Sequence, residues 1–483
     1  MSNATQSLAG TRITSLLDAN SFVEIGAYVK ARNTDFNIQA KDTPSDGVIT
    51  GYGVINGGLV YVYSQDASVL GGSVGEMHAK KIASLYDMAM KTGSPVIGLI
   101  DSTGLRLQES VDGLNAFGQI YMKQSLASGV IPTITAIFGN CGGGLSIVAG
   151  LSDFTFMEVE NAQLFVNSPN AITENRKEIC DNASAKFQSE EAGNVDFVGT
   201  EAEVIEGIRN LVSVLPSNNE DEASDLECYD DLNRAAEGIE NCGEDTLLAL
   251  ENISDDGFII EAKRNYAPEM VTAFIKLNGA TVGAVANRTK VYDDDMNVTA
   301  EFDAKLTAKG CNKAAEFVNF CDAFNIPVLT LTNVNGFAAT MCQEKNGAKA
   351  SSKLVYAFAN ATVPKVNLII GDAIGSAYVT MNSKATGADI VYAWPTAKVG
   401  MMEAKSAVEI MYADEIASGD ANQVINEKVA EYQNLQGSVM AAAARGYVDS
   451  IVEPVDTRKY LIGAFEMLYT KFEERPGKKH GTV

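Results

Sequence analysis

Two glycine-rich segments stand where a chain could assemble oriented backbone donors: Gly139-Asn-Cys-Gly-Gly-Gly144 and Gly371-Asp-Ala-Ile-Gly-Ser376. A glycine cluster directly after a buried strand lets the backbone turn sharply and come close to a ligand. A helix starting from that turn carries N–H groups with no partner inside the helix. Donors fixed this way stabilise negative charge as it develops on a carbonyl oxygen, so the chemistry they suit is capture of an oxyanion or enolate. One such cluster alone reads equally well as a tight turn without a ligand; two in the same register favour the chemical reading. Neither segment has the acidic partner of a dinucleotide fingerprint or the Lys of a phosphate-binding loop.

The elements that must position these turns are themselves repeated. Pro95-Val-Ile-Gly-Leu-Ile-Asp101 opens one apolar run and Ile131-Pro132-Thr-Ile-Thr-Ala-Ile-Phe138 another, ahead of Gly139. Pro327-Val-Leu-Thr-Leu-Thr-Asn333 and Val363-Pro364-Lys-Val-Asn-Leu-Ile-Ile370 do the same ahead of Gly371. Three anchors share one offset of 232 residues, which identifies an internal duplication of long period. Short apolar runs of this kind predict strands buried on both faces. Helices are expected from Leu145 and from Tyr378.

The chain has 483 residues and a formal charge of −25. That length allows two cores, and that charge disfavours nucleic acid and anionic lipid as partners. A polyanionic ligand would need local cations, for which Lys80, Lys81, Lys91 and Arg106 are candidates. Residues 1–20 lack a basic start followed by an apolar core, so no secretory signal is expected. The uncharged stretch from Gln124 to Ser152 is interrupted by Pro132, Asn140 and several Gly, and reads as strand, loop and helix rather than a membrane span. Seven Cys without Cys-x-x-Cys spacing, with only His78 and His480 beside them, predict a reduced cytoplasmic chain without a metal site. From Pro216 to Asp256 there are 14 acidic residues and one basic residue, Arg234. This segment is expected to be a solvated acidic linker, giving domains at 1–215 and 257–483. Ala89-Met90-Lys91 has the core of a biotin-attachment tripeptide, but it should close a helix ahead of Pro95 rather than sit on a hairpin tip.

Asp46-Gly-Val-Ile-Thr-Gly-Tyr-Gly53, Ser64-Gln-Asp66, Gly71-Gly-Ser-Val-Gly-Glu-Met-His78, Gln108-Glu109, Ala127-Ser-Gly-Val-Ile-Pro132, Leu215-Pro-Ser-Asn-Asn219, Asn319-Phe-Cys-Asp-Ala-Phe-Asn-Ile-Pro327, Ala361-Thr-Val-Pro-Lys365, Gly387-Ala-Asp389, Ala393-Trp-Pro-Thr396 and Pro476-Gly-Lys-Lys-His-Gly481 occur in this order. Together they resemble the carboxyltransferase subunits of biotin-dependent acyl-CoA carboxylases and decarboxylases, of the methylmalonyl-CoA decarboxylase alpha and propionyl-CoA carboxylase beta type. The resemblance implies an α/β fold of two tandem crotonase-like domains, each a spiral of ββα units. It implies that the first domain of one subunit faces the second domain of another, with an acyl-CoA thioester entering from one side and biotin, on a separate carrier protein, from the other.

Carried over residue by residue, the resemblance assigns a first oxyanion hole for the thioester enolate to the amides of Gly143 and Gly144. A second, for the biotin ureido oxygen, falls to Gly375, Ser376 and Ala377. Substrate-lining roles fall to Cys141, Gly71, Gly72, Gly104, Phe337, Tyr378 and Val379. The implied partners are a biotin carboxyl carrier protein, a biotin carboxylase or membrane decarboxylase subunit, and further copies of the chain, from dimer to hexamer. The chain departs from the family pattern at Ile374-Gly375-Ser376, at Asn333-Val-Asn-Gly-Phe337 with the loop to Ser352, and at Phe165-Val-Asn-Ser-Pro169. These differences bear on the substrate rim. Three functions stay open: a carboxyltransferase acting on a short acyl-CoA, propionyl- or methylmalonyl-CoA favoured; the alpha subunit of a sodium-translocating decarboxylase; and a catalytically weakened scaffold.

Overall fold

The computed structural model describes residues 7–33, 42–173, 181–221, 228–293, 295–478 and 481. Cys180, His480 and part of the 216–256 segment lie outside them. The chain divides into two units, Met1–Ser224 and Asp225–Val483.

The first unit has strands β1 (Val23–Ile25), β2 (Val48–Ile55), β3 (Gly58–Gln65), β4 (Val96–Ser102), β5 (Thr133–Gly142), β6 (Phe154–Glu158), β7 (Gln163–Phe165) and β8 (Phe197–Gly199). Its helices are α1 (Leu8–Leu16), α2 (Glu76–Thr92), α3 (Ser110–Ala127), α4 (Gly144–Gly150) and α5 (Glu201–Val212). The sheet order is β1-β2-β3-β4-β5-β6-β8, with β7 pairing with the end of β5. An antiparallel meander opens it and parallel strands follow. The apolar run Val96–Ile100 is buried along its length, as a continuous apolar strand in a parallel sheet is. α2 ends where Gly93 takes a left-handed conformation and Pro95 cannot continue a helix. α5 begins at a capping box of Thr200 and Glu203.

The second unit repeats the plan with β9 (Ile259–Ala262), β10 (Met270–Leu277), β11 (Ala280–Asn287), β12 (Lys290–Tyr292), β13 (Val298–Glu301), β14 (Val328–Asn335), β15 (Lys365–Ile374), β16 (Ile390–Ala393), β17 (Lys398–Gly400) and β18 (Ser450–Ile451). Its main sheet runs β9-β10-β11-β14-β15-β16-β18, with β17 on the end of β15. The helices are α6 (Thr246–Ile253), α7 (Ala308–Ala323), α8 (Met341–Asn360), α9 (Gly375–Thr380), α10 (Ala404–Met411), α11 (Ala413–Ser418), α12 (Ala421–Tyr432), α13 (Val439–Ala443) and α14 (Thr457–Leu468). β5 and β15 cover equivalent residues at the offset of 232. Among the described residues the β12–β13 ribbon and the α10–α13 helices occur in the second unit alone.

The acidic segment departs from expectation. Residues 216–221 stay with the first unit, where Asn218 donates to the Gly93 carbonyl at 2.9 Å, and the part from residue 228 is packed into the second: Ala236, Ile239, Ala249, Leu250 and Ile253 belong to that core. Three of its carboxylates, Asp230, Asp245 and Asp255, are matched inside the unit, while Asp231, Glu237, Glu240, Glu251 and Asp256 stay exposed. Arg458, fully buried, pairs with Asp255 at 2.8 Å and Asp230 at 3.3 Å, and Asp245 caps α6 through the Leu247 amide. Helix capping and buried pairing use these acids for packing. Gln124–Ser152 forms the end of α3, β5 and α4, and no helix among the described residues is long and apolar enough to cross a membrane. Ala89-Met90-Lys91 lies in the last turns of α2. Trp394 is a core residue whose indole N–H donates to Thr457 at 3.0 Å.

Candidate active site

Each glycine-rich segment sits where a parallel strand ends and a helix starts. In the first unit Gly143 holds φ 59°, ψ −123° between β5 and α4, a conformation open to glycine. In the second, Gly375 has φ 69° at the start of α9. Both elbows are supported from the neighbouring strand by the residue that closes the Pro95 and Pro327 motifs. Gly139 lies so close to Asp101 that an added Cβ would stand 2.1 Å from its carboxylate, and Gly371 meets Asn333 in the same way at 2.5 Å. Asn333 Oδ1 accepts the Asp372 amide at 3.0 Å, while Asp101 is held by Arg12 at 3.2 Å. A register shift in the β4–β5 and β14–β15 ladders brackets each of these residues.

The first-elbow donors differ from those expected. The amide of Gly143 donates to the Phe165 carbonyl at 3.0 Å, because β7 runs alongside the end of β5, so this donor is committed to the sheet. The Ser146 amide turns back to the Gly143 carbonyl at 3.1 Å, so the first-turn amides of α4 left to this elbow are those at its start, from Gly144. Tyr121 fixes that turn by donating its hydroxyl to the Gly144 carbonyl at 2.7 Å. Cys141 does not line the site: it is buried in the core beneath the elbow, and burial pushes its thiol up to about 12, which removes it as a nucleophile at neutral pH.

Gly72 and Gly104 are brought to the same strand ends. Ser102 Oγ donates to the Gly72 carbonyl at 2.7 Å and accepts the Gly104 amide at 3.0 Å, and Gly104 faces the Gly142 carbonyl. Gly71 accepts from the Thr103 amide at 2.9 Å. Lys81 and Arg106, considered above as cations for a polyanion, instead hold these loops from inside. Arg106 is buried between Asp46 at 2.6 Å and Glu109 at 2.9 Å, and donates to the Ser73 carbonyl at 2.6 Å. Lys81 donates to the carbonyls of Ser45 and Val48, and burial pushes it down to about 8. Beside them His78 is pushed down to about 3 by burial, hence neutral at pH 7. Lys80 and Lys91 are exposed.

At the second elbow two cavities meet. One, about 420 Å³, is lined by Gly375, Ser376 and Ala377 together with Phe337, Lys305, Asn335 and Glu403. The other, about 600 Å³, is lined by Ser376, Tyr378, Val379, Val399, Met401 and Arg445. Ser376 and Ala377 belong to the first turn of α9. Val379 is 41% exposed and Phe337 39%, so each presents apolar surface to the cavity it lines. Tyr378 is largely buried, and burial pushes its phenol up to about 12, so it is a neutral wall. Among the described residues no group of three or more His, Cys, Asp or Glu could hold a metal.

Lys305 and Glu403 line the smaller of these cavities, although neither belongs to a motif legible in the sequence. Lys305 donates to the Asn335 carbonyl, and Asn335 Nδ2 donates to Glu403 at 2.6 Å. The signal available was the repeat offset, which sets Lys305 against Ser73.

Comparison with known proteins joins these features. A carboxyl transferase domain family matches residues 3–483. The methylmalonyl-CoA decarboxylase subunit alpha of Propionigenium modestum is 39% identical, covering 98% of this chain and 92% of its own length. A putative propionyl-CoA carboxylase beta chain of Bacillus subtilis is 41% identical over 98% and 93%. The transcarboxylase 12S structure with hydrolysed methylmalonyl-coenzyme A bound superposes with a TM-score of 0.91 at 37% identity, covering 99% of this chain and 93% of that one. The α/β units with their parallel sheets are accordingly two tandem crotonase-like domains.

Proposed function

The chain belongs to the carboxyl transferase domain family, and from that premise we propose that it moves a carboxyl group between carboxybiotin on a carrier protein and the α carbon of a short-chain acyl-CoA. The observation that carries this reading is the duplicated elbow: two strand-to-helix turns in one register, each with a positive-φ glycine where the helix starts. An α carbon beside a thioester loses its proton only when the enolate oxygen is stabilised by donors already in place. The α4 first turn, from Gly144, is assigned to that oxygen. The α9 first turn, with Ser376 and Ala377, is assigned to the ureido carbonyl of biotin, and a 420 Å³ cavity with donors on one wall fits a small cyclic urea. Biotin, when bound, supplies the nitrogen that carries the carboxyl and takes up the α proton. The protein's share is then alignment and electrostatic stabilisation, and a neutral His78 deep in the core is no obstacle.

Val379 and Tyr378 give the 600 Å³ cavity an apolar wall, which favours a small aliphatic acyl group. Propionyl- or methylmalonyl-CoA is the proposed substrate, as the names of the relatives also suggest. The similarity to a decarboxylase alpha subunit supports a second reading in which the same half-reaction runs toward decarboxylation beside a membrane subunit. A biotin carboxyl carrier protein, a cytoplasmic location and assembly of several copies complete the proposal; the transcarboxylase 12S structure is described as a hexamer assembly. Carboxyl exchange with free biotin across an acyl-CoA series tests the substrate. Propionyl- or methylmalonyl-CoA should lead, with acetyl- and butyryl-CoA weaker by about 10- to 200-fold per methylene at most. A preference for glutaconyl-CoA or another acid-bearing chain would overturn the pocket assignment.

A further inference from the structure

The two elbows are copies, yet the groups facing them differ in charge. Their register carries down to an isolated parallel bridge, Val74 with Leu105 in the first unit and Leu306 with Phe337 in the second. Ser73 therefore corresponds to Lys305 and Thr103 to Asn335. In the first unit these positions are neutral, and the Ser73 hydroxyl accepts from Arg106 at 3.2 Å. In the second, the Lys305 ammonium is held on the Asn335 carbonyl and the Asn335 amide on Glu403. All three residues line the 420 Å³ cavity beside the elbow. One small space thus receives a cation with further N–H donors and a carboxylate with further lone pairs, fixed through a single asparagine. An anion would meet Glu403 and a cation would meet Lys305; a neutral ligand with an acceptor at one end and N–H donors at the other satisfies both. A cyclic urea has that pattern.

Resting on the carboxyl-transfer reading, we infer that Lys305 and Glu403 are the polar poles of the urea site, Lys305 donating to the ring carbonyl and Glu403 accepting from a ring N–H, with Asn335 as the positioning residue between them. Calorimetric titration of 2-imidazolidone and of biotin methyl ester into the full chain tests this without turnover. Lys305→Met and Glu403→Gln should each weaken binding about 10-fold, the loss of one charge-assisted hydrogen bond. Lys305→Arg should restore most of the loss, and the Kd for propionyl-CoA should not move. In exchange assays the KM for free biotin should rise more than kcat falls. Unchanged urea binding in both folded variants overturns the inference while the function stands, provided the wild type exchanges carboxyl groups. Equal losses of urea and propionyl-CoA affinity also overturn it, since they indicate a structural role. A wild type that binds the ureas through these residues but transfers no carboxyl supports the site and overturns the function.

Discussion

At Gly143 the backbone angles alone decide what can be substituted. With φ 59° and ψ −123° a side chain is strained, although a methyl group there would point into open space. Such a conformation costs on the order of 1–3 kcal/mol for a non-glycine residue. Gly143→Ala should therefore stay folded while disturbing the donor turn at Gly144, lowering turnover about 100-fold or more. Steady-state rates beside a denaturation curve check this; a folded variant with near wild-type turnover would contradict the first-elbow assignment. Gly143→Pro is a poor probe, because proline cannot reach positive φ and removes the N–H bonded to Phe165. At this scale the sequence exposed the glycine positions but not the use of each amide. A glycine cluster announces a turn, whereas the commitment of the Gly143 donor depends on β7, some 20 residues on. The supporting pair Asp101 and Asn333 was legible as the end of each Pro-opened run, but its contact with Gly139 and Gly371 appears only when the two strands lie side by side.

The strands that carry the elbows are anchored at their other ends by a matched carboxylate. Asp153 accepts the Thr133 amide at 2.7 Å at the start of β5, and Asp389 accepts the Lys365 amide at 2.8 Å at the start of β15. The copies differ in charge compensation, since Asp389 is paired with Lys471 at 2.8 Å while burial raises Asp153 from the ordinary 3.8 to about 6. A folded pKa above the unfolded one means that the native state holds the proton more tightly. The stability Asp153 contributes is then present below about pH 4 and lost as pH rises through about 6. Asp153→Asn should gain on the wild type between those limits, by up to on the order of 3 kcal/mol, and urea midpoints across that range measure it. A gain that does not change with pH would contradict the assignment. Element type and order were readable here because the apolar runs, Pro signals and helix caps are local. The β12–β13 ribbon and the α10–α13 helices were not, as they have no counterpart among the described residues of the first repeat to betray them.

Over the whole molecule, the acidic segment shows what charge counting leaves out. Asp230 and Asp255 read as solvated like their exposed neighbours because Arg458, which pairs with both, lies more than 200 residues further along the chain. Asp230 would keep Arg234 at 3.0 Å, but removing the Arg458 guanidinium leaves the buried Asp255 without its cation, so Arg458→Met should cost about 3–5 kcal/mol. Chemical denaturation checks this, and an unchanged midpoint would return the segment to the role of a connector. The family and the two-domain plan were legible in the sequence because the duplication and its ordered motifs span the chain; substrate and partners were not, since they depend on rim residues that diverge. Light scattering should give a multiple of the chain mass between dimer and hexamer, and an active monomer would contradict the proposed assembly. The most direct test of the account is the transfer of labelled carboxyl from methylmalonyl-CoA to free biotin by the purified chain. Transfer should require both substrates and be lost, with the fold intact, in Gly143→Ala; a folded wild-type chain that binds propionyl-CoA but moves no label would contradict carboxyl transfer as the function.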